Sequence, residues 1–268
     1  MSIKSRFIYF SGLLFLSICL GLNVPTASTP GLAASKAMVT DTKSPLSERA
    51  ARKLIHRTPD MNPTTPVQSL RKRDYMANEK LFDVSYNIFH FSPKIMFKAN
   101  TTTLYVSSRR LAPLLNTAMA KWNQALGKTV FKMGTAKQAS LPVKFGHASQ
   151  KNWDGLYTGK TIYIDKAHFD DPKYPLAYIK PALAAQMSIK QYWTGVLAHE
   201  LGHTLGLDHT AYQADLMYAP TSNGNIVAKY PWQNPLQKTA TGLDGTEMAK
   251  ISTRDLNRAK LAEKLGYW

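Results

Sequence analysis

The sequence predicts an α+β fold: a mixed, twisted sheet with one long helix, a second helix that carries histidines, and a small C-terminal subdomain that ends in a helix. Three observations support this prediction. Several stretches between residues 86 and 165 alternate apolar and polar side chains, as strands do. Two segments, at residues 110–126 and 188–205, repeat apolar side chains at helical spacing. A third helical pattern, at residues 252–265, lies close to the C-terminus.

The strands and the first helix can be placed from their flanking residues. Strands are expected at residues 86–89, 95–97, 103–106, 130–133, 141–145 and 160–165. A helix is expected at residues 110–126, because Pro113 suits a first turn and Gly127 ends a helix. A shorter helix is expected at residues 46–56. One stripe of the long helix is apolar and is expected to pack in the core: Leu111, Leu115, Met119, Trp122 and Leu126.

The second helix has its own start signal. Ser188, followed three residues later by Gln191, predicts a capping box. An apolar stripe follows at steps of four residues: Trp193, Leu197, Leu201 and Leu205. It lies roughly opposite the histidines, so the helix is expected to bury one face and to present the histidines from the other.

Residues 199–209 contain the pattern H-E-x-x-H-x-x-G-x-x-H. On a helix, His199 and His203 lie one turn apart on the same face and can reach one metal ion. Gly206 allows the chain to turn, because glycine adopts positive φ freely, and His209 then approaches from another side. Three histidines leave a fourth tetrahedral position for water, which is typical of a catalytic zinc site. Glu200 stands beside the ligands as a candidate general base.

This pattern, followed by Met217, resembles the signature of the metzincin zinc peptidases, and within them the matrixins. The resemblance implies the metzincin fold over roughly residues 95–265, and a tight turn at Met217 beneath the metal. Tyr218 and Pro220 are then candidate walls of the substrate pocket. Matrixins usually place proline directly after Met-Tyr, whereas Ala219 intervenes here, so the shape of the pocket cannot be carried over.

The predicted function is a secreted zinc endopeptidase that hydrolyses peptide bonds in proteins or peptides. A zinc-activated water would attack the bond, and Glu200 would take its proton. The sequence is also compatible with two alternative functions: a zinc amidase acting on cell-wall material, and a binding protein that has lost catalysis. The presence of Glu200 argues against the latter.

The chain is expected to divide into a signal peptide at residues 1–35, a basic linker or pro-segment at 36–84 with little core of its own, and a catalytic domain at 85–268. Lys4, Arg6 and the apolar run that follows are typical of an export signal. The only cysteine, Cys19, lies in that signal. The mature protein would therefore have no cysteine to place on the zinc, which is the latency device of matrixins. The basic triplet 71–73 is either a processing site or a solvated charge run.

The formal net charge of +17 favours anionic surroundings, such as a cell-wall or surface polymer, although a solvated basic surface explains it equally well. No nucleic-acid-binding pattern accompanies the charge, and no transmembrane segment is expected once the signal is removed. A monomer is expected.

The resemblance also concerns further ions and the last helix. Matrixins carry a structural zinc and calcium in the region that corresponds to residues 145–171. Here Ser149 replaces an aspartate of the zinc-binding pattern, which argues against a second zinc, while calcium stays a candidate. Ser252 and Asp255 predict a capping box for the C-terminal helix. The resemblance adds a second role for Asp255, a hydrogen bond to the methionine turn.

Overall fold

The computed structural model describes residues 44–57, 70–86, 88, 93–148, 153–177, 179–210, 212–219 and 239–268. The predicted signal peptide, Ser149 and Pro220 lie outside these ranges. In the part of the chain that is described, helices and strands surround a continuous core of buried apolar side chains.

A five-stranded sheet forms one layer. Its strands are β1 (Thr102–Val106), β2 (Phe131–Met133), β3 (Leu141–Gly146), β4 (Gly155–Tyr157) and β5 (Ile162–Asp165), arranged in the order β2-β1-β3-β5-β4. Strands β1, β2, β3 and β5 pair in parallel, while β4 runs antiparallel to β5. The sheet is therefore mixed, as predicted. Strand β4, which the sequence pattern missed, forms the edge of the sheet closest to the histidine helix.

Two long helices pack against each other beside the sheet. The first, α4 (Ala112–Leu126), follows shorter helices, and its predicted end is confirmed because Gly127 adopts φ 70°. The second, α8 (Ile189–Thr204), carries the histidines. The indole Nε1 of the buried Trp122 donates to the carbonyl oxygen of Ala198 over 2.8 Å. This bond ties the middle of the histidine helix to the predicted core stripe of α4.

The start of α8 only partly follows the prediction. Ser188 is the N-cap, and its Oγ accepts the backbone N–H of Gln191 at 3.0 Å. The side chain of Gln191 does not return to Ser188; it donates to the carbonyl oxygen of Glu247 at 3.1 Å. The reciprocal half of the capping box is therefore wrong, because a tertiary partner takes this side chain.

The N-terminal region departs most from the prediction. Residues before β1 form α1 (Glu48–Arg57), α2 (Lys72–Met76), α3 (Glu79–Tyr86) and a 3-10 turn (Pro93–Met96). The strands expected at 86–89 and 95–97 are wrong: Tyr86 ends a helix, and Ile88 makes one isolated bridge to Leu207. The aromatic rings of Phe82 and Tyr86 stack at a helical spacing of four residues, which outweighs their preference for strands.

The same helices lie largely in residues 36–84, which were expected to be a linker or pro-segment with little core of its own. Ala51, Ile55, Tyr75 and Phe82 are buried in the main core. The basic triplet is also structured in part, because the guanidinium of Arg71 pairs with Asp74 at 2.6 Å at the start of α2. The domain boundary near residue 84 and the role of this segment stay predictions.

Three short helices connect the sheet to α8, and none was predicted: α5 (Lys166–Asp170), α6 (Tyr174–Ala177) and α7 (Pro181–Ala184). Asp165, the last residue of β5, caps α5 by accepting the backbone N–H of His168. These helices are four or five residues long, which is too short for a periodic sequence pattern to reveal.

The final helix, α9 (Thr253–Leu265), has the predicted capping box at Ser252 and Asp255 and ends at Gly266. Its Arg258 is buried and joins distant parts of the chain. The guanidinium donates to the carbonyl oxygen of Tyr86 from Nε and to that of Asp208 from Nη2, each at 2.6 Å. No helix in the described ranges is long and apolar enough to cross a membrane.

Candidate metal centre

Three histidines meet at one point in the structure. The candidate ligand atoms of His199, His203 and His209 all lie within 4.8 Å of one another, and all three side chains are buried. The first two lie one turn apart on α8, and the third follows the end of that helix. The sequence motif predicted this convergence. Within the described residues, this is the one group of three such side chains that could hold a metal ion.

Backbone carbonyl groups set the orientation of two of the rings. Nδ1 of His199 lies 2.7 Å from the carbonyl oxygen of Leu216, and Nδ1 of His203 lies 2.7 Å from that of Leu207. Because a carbonyl can only accept, each Nδ1 carries the proton and each Nε2 keeps a lone pair. Hydrogen bonds of this kind fix the tautomer and the direction of a metal-binding imidazole. Neither carbonyl could be identified from the sequence motif.

The end of α8 brings the third histidine into place. Gly206 has φ +80°, and its N–H donates to the carbonyl oxygen of His203, while the N–H of Leu207 donates to that of Gly202. These two bonds form a Schellman motif, which terminates a helix with a residue in the left-handed conformation. The predicted role of Gly206 is confirmed, and the chain turns back so that His209 faces the other two rings.

Met217 packs against the inner side of this centre. A Cβ atom added to Gly202 would lie 2.4 Å from Sδ of Met217 and 3.3 Å from the ring of Trp122. The glycine between the two helical histidines is therefore required for close packing of the methionine. The turn itself is held by Asp255, whose Oδ2 accepts the backbone N–H of Leu216 at 2.7 Å.

Asp255 thus fills both roles that the sequence left open. Its Oδ2 also accepts the N–H of Ser252, while its own N–H donates to Oγ of Ser252. Its Oδ1 lies 3.4 Å from the N–H of Met217. One fully buried carboxyl group therefore caps α9 and braces the methionine turn.

Glu200 lies beside the histidines in a dry environment. It is 2% exposed, and its Oε2 has no hydrogen-bond partner among the described residues. Burial raises the pKa of Glu200 to about 8, although a hydrogen bond from the backbone of Tyr157 acts in the opposite direction. A Cβ atom on Gly155 would lie 2.6 Å from Oε1 of Glu200. Edge strand β4 can thus approach the glutamate this closely only because residue 155 is glycine.

The donor set fits zinc. Burial lowers the pKa of His199 to about 4 and holds those of His203 and His209 well below their usual value, so all three rings are neutral at physiological pH. Neutral imidazoles are the form that binds metal. Nε2 of His199 is buried and has no hydrogen-bond partner in the described part of the chain. A buried nitrogen lone pair of this kind is accounted for if it serves as a ligand.

A cavity of about 90 Å³ adjoins His199 and Glu200. Tyr218, a predicted pocket residue, lines it, whereas Pro220 lies outside the described residues. Several other lining residues were not predicted as part of the site: Tyr192, Val196, Asp244, Thr246 and Glu247. Residues 244–247 are distant from the motif along the chain, so only the tertiary structure brings them to the site.

The region proposed for further ions forms a hydrogen-bonded cluster. Nδ1 of His168 lies 2.8 Å from Oδ1 of Asp154, and Tyr192 donates its hydroxyl proton to the other carboxylate oxygen. Asp165 accepts the backbone N–H groups of Ala148 and His168. Protein groups therefore account for the contacts of both carboxylates, and a calcium site in this region stays a prediction.

Comparison with known proteins agrees with this geometry. The sequence model of the family described as Matrixin matches residues 88–229, which are more than half of the 268-residue chain and include the three histidines. No curated protein matches the chain. Among solved structures, it is similar to archaemetzincin from Methanopyrus kandleri at 14% identity and a TM-score of 0.38, over 63% of this chain and 98% of that chain.

The family match covers the sheet from β1 onward, the histidine helix and the methionine turn. The predicted α+β fold with a mixed sheet, a long helix, a histidine helix and a final helix is confirmed. The chain belongs to the matrixin family of metzincin zinc metallopeptidases.

Proposed function

We propose that this protein is a secreted endopeptidase that hydrolyses peptide bonds at a single zinc ion held by His199, His203 and His209. The observation that carries the proposal is the position of Glu200. Oε2 of Glu200 and Nε2 of His199 are buried without a hydrogen-bond partner among the described residues, and both side chains line the same cavity. A proton acceptor and a metal ligand that face one space are the two groups a zinc peptidase requires.

When bound by three imidazoles, zinc supplies a Lewis acid that polarises a carbonyl group and lowers the pKa of water to ~7. Glu200 takes the proton of the attacking water and returns it to the nitrogen of the leaving amine. The same carboxyl group can serve both steps because it lines the cavity beside His199. Met217 contributes packing beneath the histidines and neither a ligand nor a proton.

The setting of the enzyme forms part of the proposal. The charged and apolar N-terminal segment supports export to the extracellular space, and the basic composition supports contact with anionic surface polymers. The substrate is a protein or peptide, nucleic acid is not a partner, and the chain acts as a monomer. Calcium is a candidate second ion without a defined site.

The substitution Glu200→Ala tests the proposal because it deletes the base and keeps the three histidines. We expect one zinc per chain by elemental analysis, and hydrolysis of casein reduced about 10²–10⁴-fold. Glu200→Gln, which preserves the packing against Gly155, should lose a similar amount of activity.

The alternatives predict different results. Release of soluble fragments from purified peptidoglycan, without cleavage of casein, would indicate a cell-wall amidase. Absence of hydrolysis by the zinc-loaded wild-type protein on both substrates would indicate a binding protein. Equal turnover by Glu200→Ala and wild type would contradict the role of Glu200.

A further inference from the structure

The cavity beside Glu200 is acidic, although the chain as a whole is basic. The sequence has 17 acidic against 34 basic side chains. Ten described residues line the cavity, and none of them is lysine or arginine. Four of them are acidic: Asp154, Glu200, Asp244 and Glu247. The charge of this cavity is thus opposite to that of the protein.

The loop that supplies two of these carboxylates is held in a fixed conformation. The backbone N–H of Asp244 donates to Oε2 of Glu247 at 2.9 Å, and the N–H of Glu247 donates to Oδ1 of Asp244 at 2.7 Å. Because each side chain binds the backbone of the other, both carboxylates are oriented before any ligand arrives. Preorganised charges bind a ligand without the cost of ordering them.

The same loop is attached directly to the metal centre. Thr246 donates its hydroxyl proton to the carbonyl oxygen of Leu216, the group that also accepts from His199. A Cβ atom on Gly195 of α8 would lie 1.8 Å from the carbonyl oxygen of Thr246, so loop and helix are in backbone contact. The two carboxylates therefore have a defined position relative to the reacting groups.

The opposite wall provides a third fixed carboxylate and an apolar surface. Asp154 is 8% exposed and is oriented by the hydroxyl of Tyr192 and by His168. Tyr192 and Tyr218 both line the cavity. Aromatic rings can cover the methylene groups of a long side chain and attract a cation over their faces. The inner end holds Glu200, which is nine-tenths buried and has an Oε2 without a partner in the described structure.

The size of the cavity restricts the ligand. A volume of about 90 Å³ leaves room for a few water molecules or one slender side chain. The side chain of lysine, with five heavy atoms beyond Cα, is of that size. A carboxylate ligand would face three fixed negative charges, and an apolar ligand would remove water from them without compensation.

We propose that this cavity is a specificity pocket for the cationic side chain of a lysine next to the scissile bond. The inference rests on the proposed peptidase function and names its substrate class. Asp244, Glu247 and Asp154 surround the cationic group, while Tyr192 and Tyr218 flank its methylene stem. The peptide bond of the same residue is then brought next to Glu200 and His199.

Internally quenched peptides that share one flanking sequence provide the test. The residues directly before and directly after the cleaved bond are varied in turn among lysine, leucine and glutamate, and the cut is located by mass spectrometry. We expect lysine to exceed leucine about tenfold in kcat/KM at one of the two positions, with glutamate the poorest. Raising the salt concentration should reduce the preference for lysine, because screening weakens charge interactions.

The double variant Asp244→Asn, Glu247→Gln keeps side-chain oxygens that can accept the loop hydrogen bonds and removes both charges. The ratio of lysine to leucine cleavage should fall about tenfold, while the matched surface change Glu48→Gln on α1 should leave it unchanged.

If the double variant does not fold, the wild-type peptide series and its salt dependence still test the proposed lysine preference. Equal cleavage of lysine and leucine peptides by wild type, or a lysine preference retained by a folded double variant, would overturn the proposal. Failure of the zinc-loaded enzyme to cleave any peptide would count against the peptidase function itself.

Discussion

Asp255→Asn is expected to weaken zinc binding as well as the fold. Oδ2 of Asp255 accepts the N–H of Leu216, and the carbonyl oxygen of the same Leu216 accepts from Nδ1 of His199. One residue of the methionine turn therefore connects Asp255 to a zinc-binding ring. Burial, together with the charge of Asp215, raises the pKa of Asp255 to about 7. At that pH the carboxyl group is partly ionised, so the neutral amide removes part of a negative charge as well as one acceptor oxygen.

The size of the effects of Asp255→Asn on stability and on zinc affinity follows from the hydrogen bonds of the Asp255 carboxyl group. An amide oxygen can replace Oδ2 and keep the bonds to Leu216 and Ser252, but its NH₂ group then faces the N–H of Met217 at 3.4 Å and the guanidinium of Arg258 at 3.9 Å. Donors facing donors in a buried site cost about 1–3 kcal/mol. Loss of an outer hydrogen bond that orients a ligand lowers metal affinity about 10–100-fold.

Ser252→Ala is the matched control for this substitution. It removes the oxygen that caps α9 and leaves the bond between Asp255 and Leu216, so it should cost about 1 kcal/mol of stability with zinc affinity unchanged. Zinc retention is measured against a competing chelator, and stability by thermal melting. If Asp255→Asn and Ser252→Ala retain zinc equally, Asp255 only caps the helix and the reasoning is refuted.

Two further results are expected from the buried groups of the site. Gly202→Ala should lower the free energy of unfolding by about 1–3 kcal/mol, because the added methyl group meets the flexible side chain of Met217. Gly195→Ala should lower it further, because there the methyl group meets the rigid backbone of Thr246. Chemical denaturation measures both changes, and equal effects would contradict these contacts. In metal-free protein, burial lowers the pKa of His199 to about 4, so the ring in the folded state should stay neutral as the pH falls through the usual range of histidine. NMR titration of the histidine ring resonances in chelator-treated protein measures this, and titration of His199 near its ordinary pKa would show that burial does not hold the ring neutral.

The metal centre could be predicted from sequence because its determinants are local. The helical repeat fixes the spacing of His199 and His203, and the positive φ of Gly206 ends the helix at the required point. The N-cap residues of α8 and α9 could also be predicted, because Ser188 and Ser252 accept hydrogen bonds from backbone N–H groups three residues further along the chain. Short-range geometry of this kind is contained in the sequence pattern.

What the sequence did not reveal depends on contacts between distant segments. The carboxylates of Asp244 and Glu247 reach the cavity only because a backbone contact at Gly195 brings their loop onto α8. The helix at Glu79–Tyr86 was not predicted, and its last residue, Tyr86, was assigned to a strand because an aromatic residue suits both structures until its stacking partner is known. Edge strand β4 is three residues long, so alternation could not identify it.

Stepwise return of zinc to metal-free protein tests the central claim most directly. Peptide hydrolysis should be absent without metal, rise in proportion to added zinc and reach its plateau at one zinc per chain, because the described structure contains one group of three metal-binding side chains. In His209→Ala, which keeps the two ligands on α8, the rise should need a much higher zinc concentration. Hydrolysis by the metal-free protein, or a titration unaffected by loss of His209, would contradict a catalytic zinc held by these three histidines.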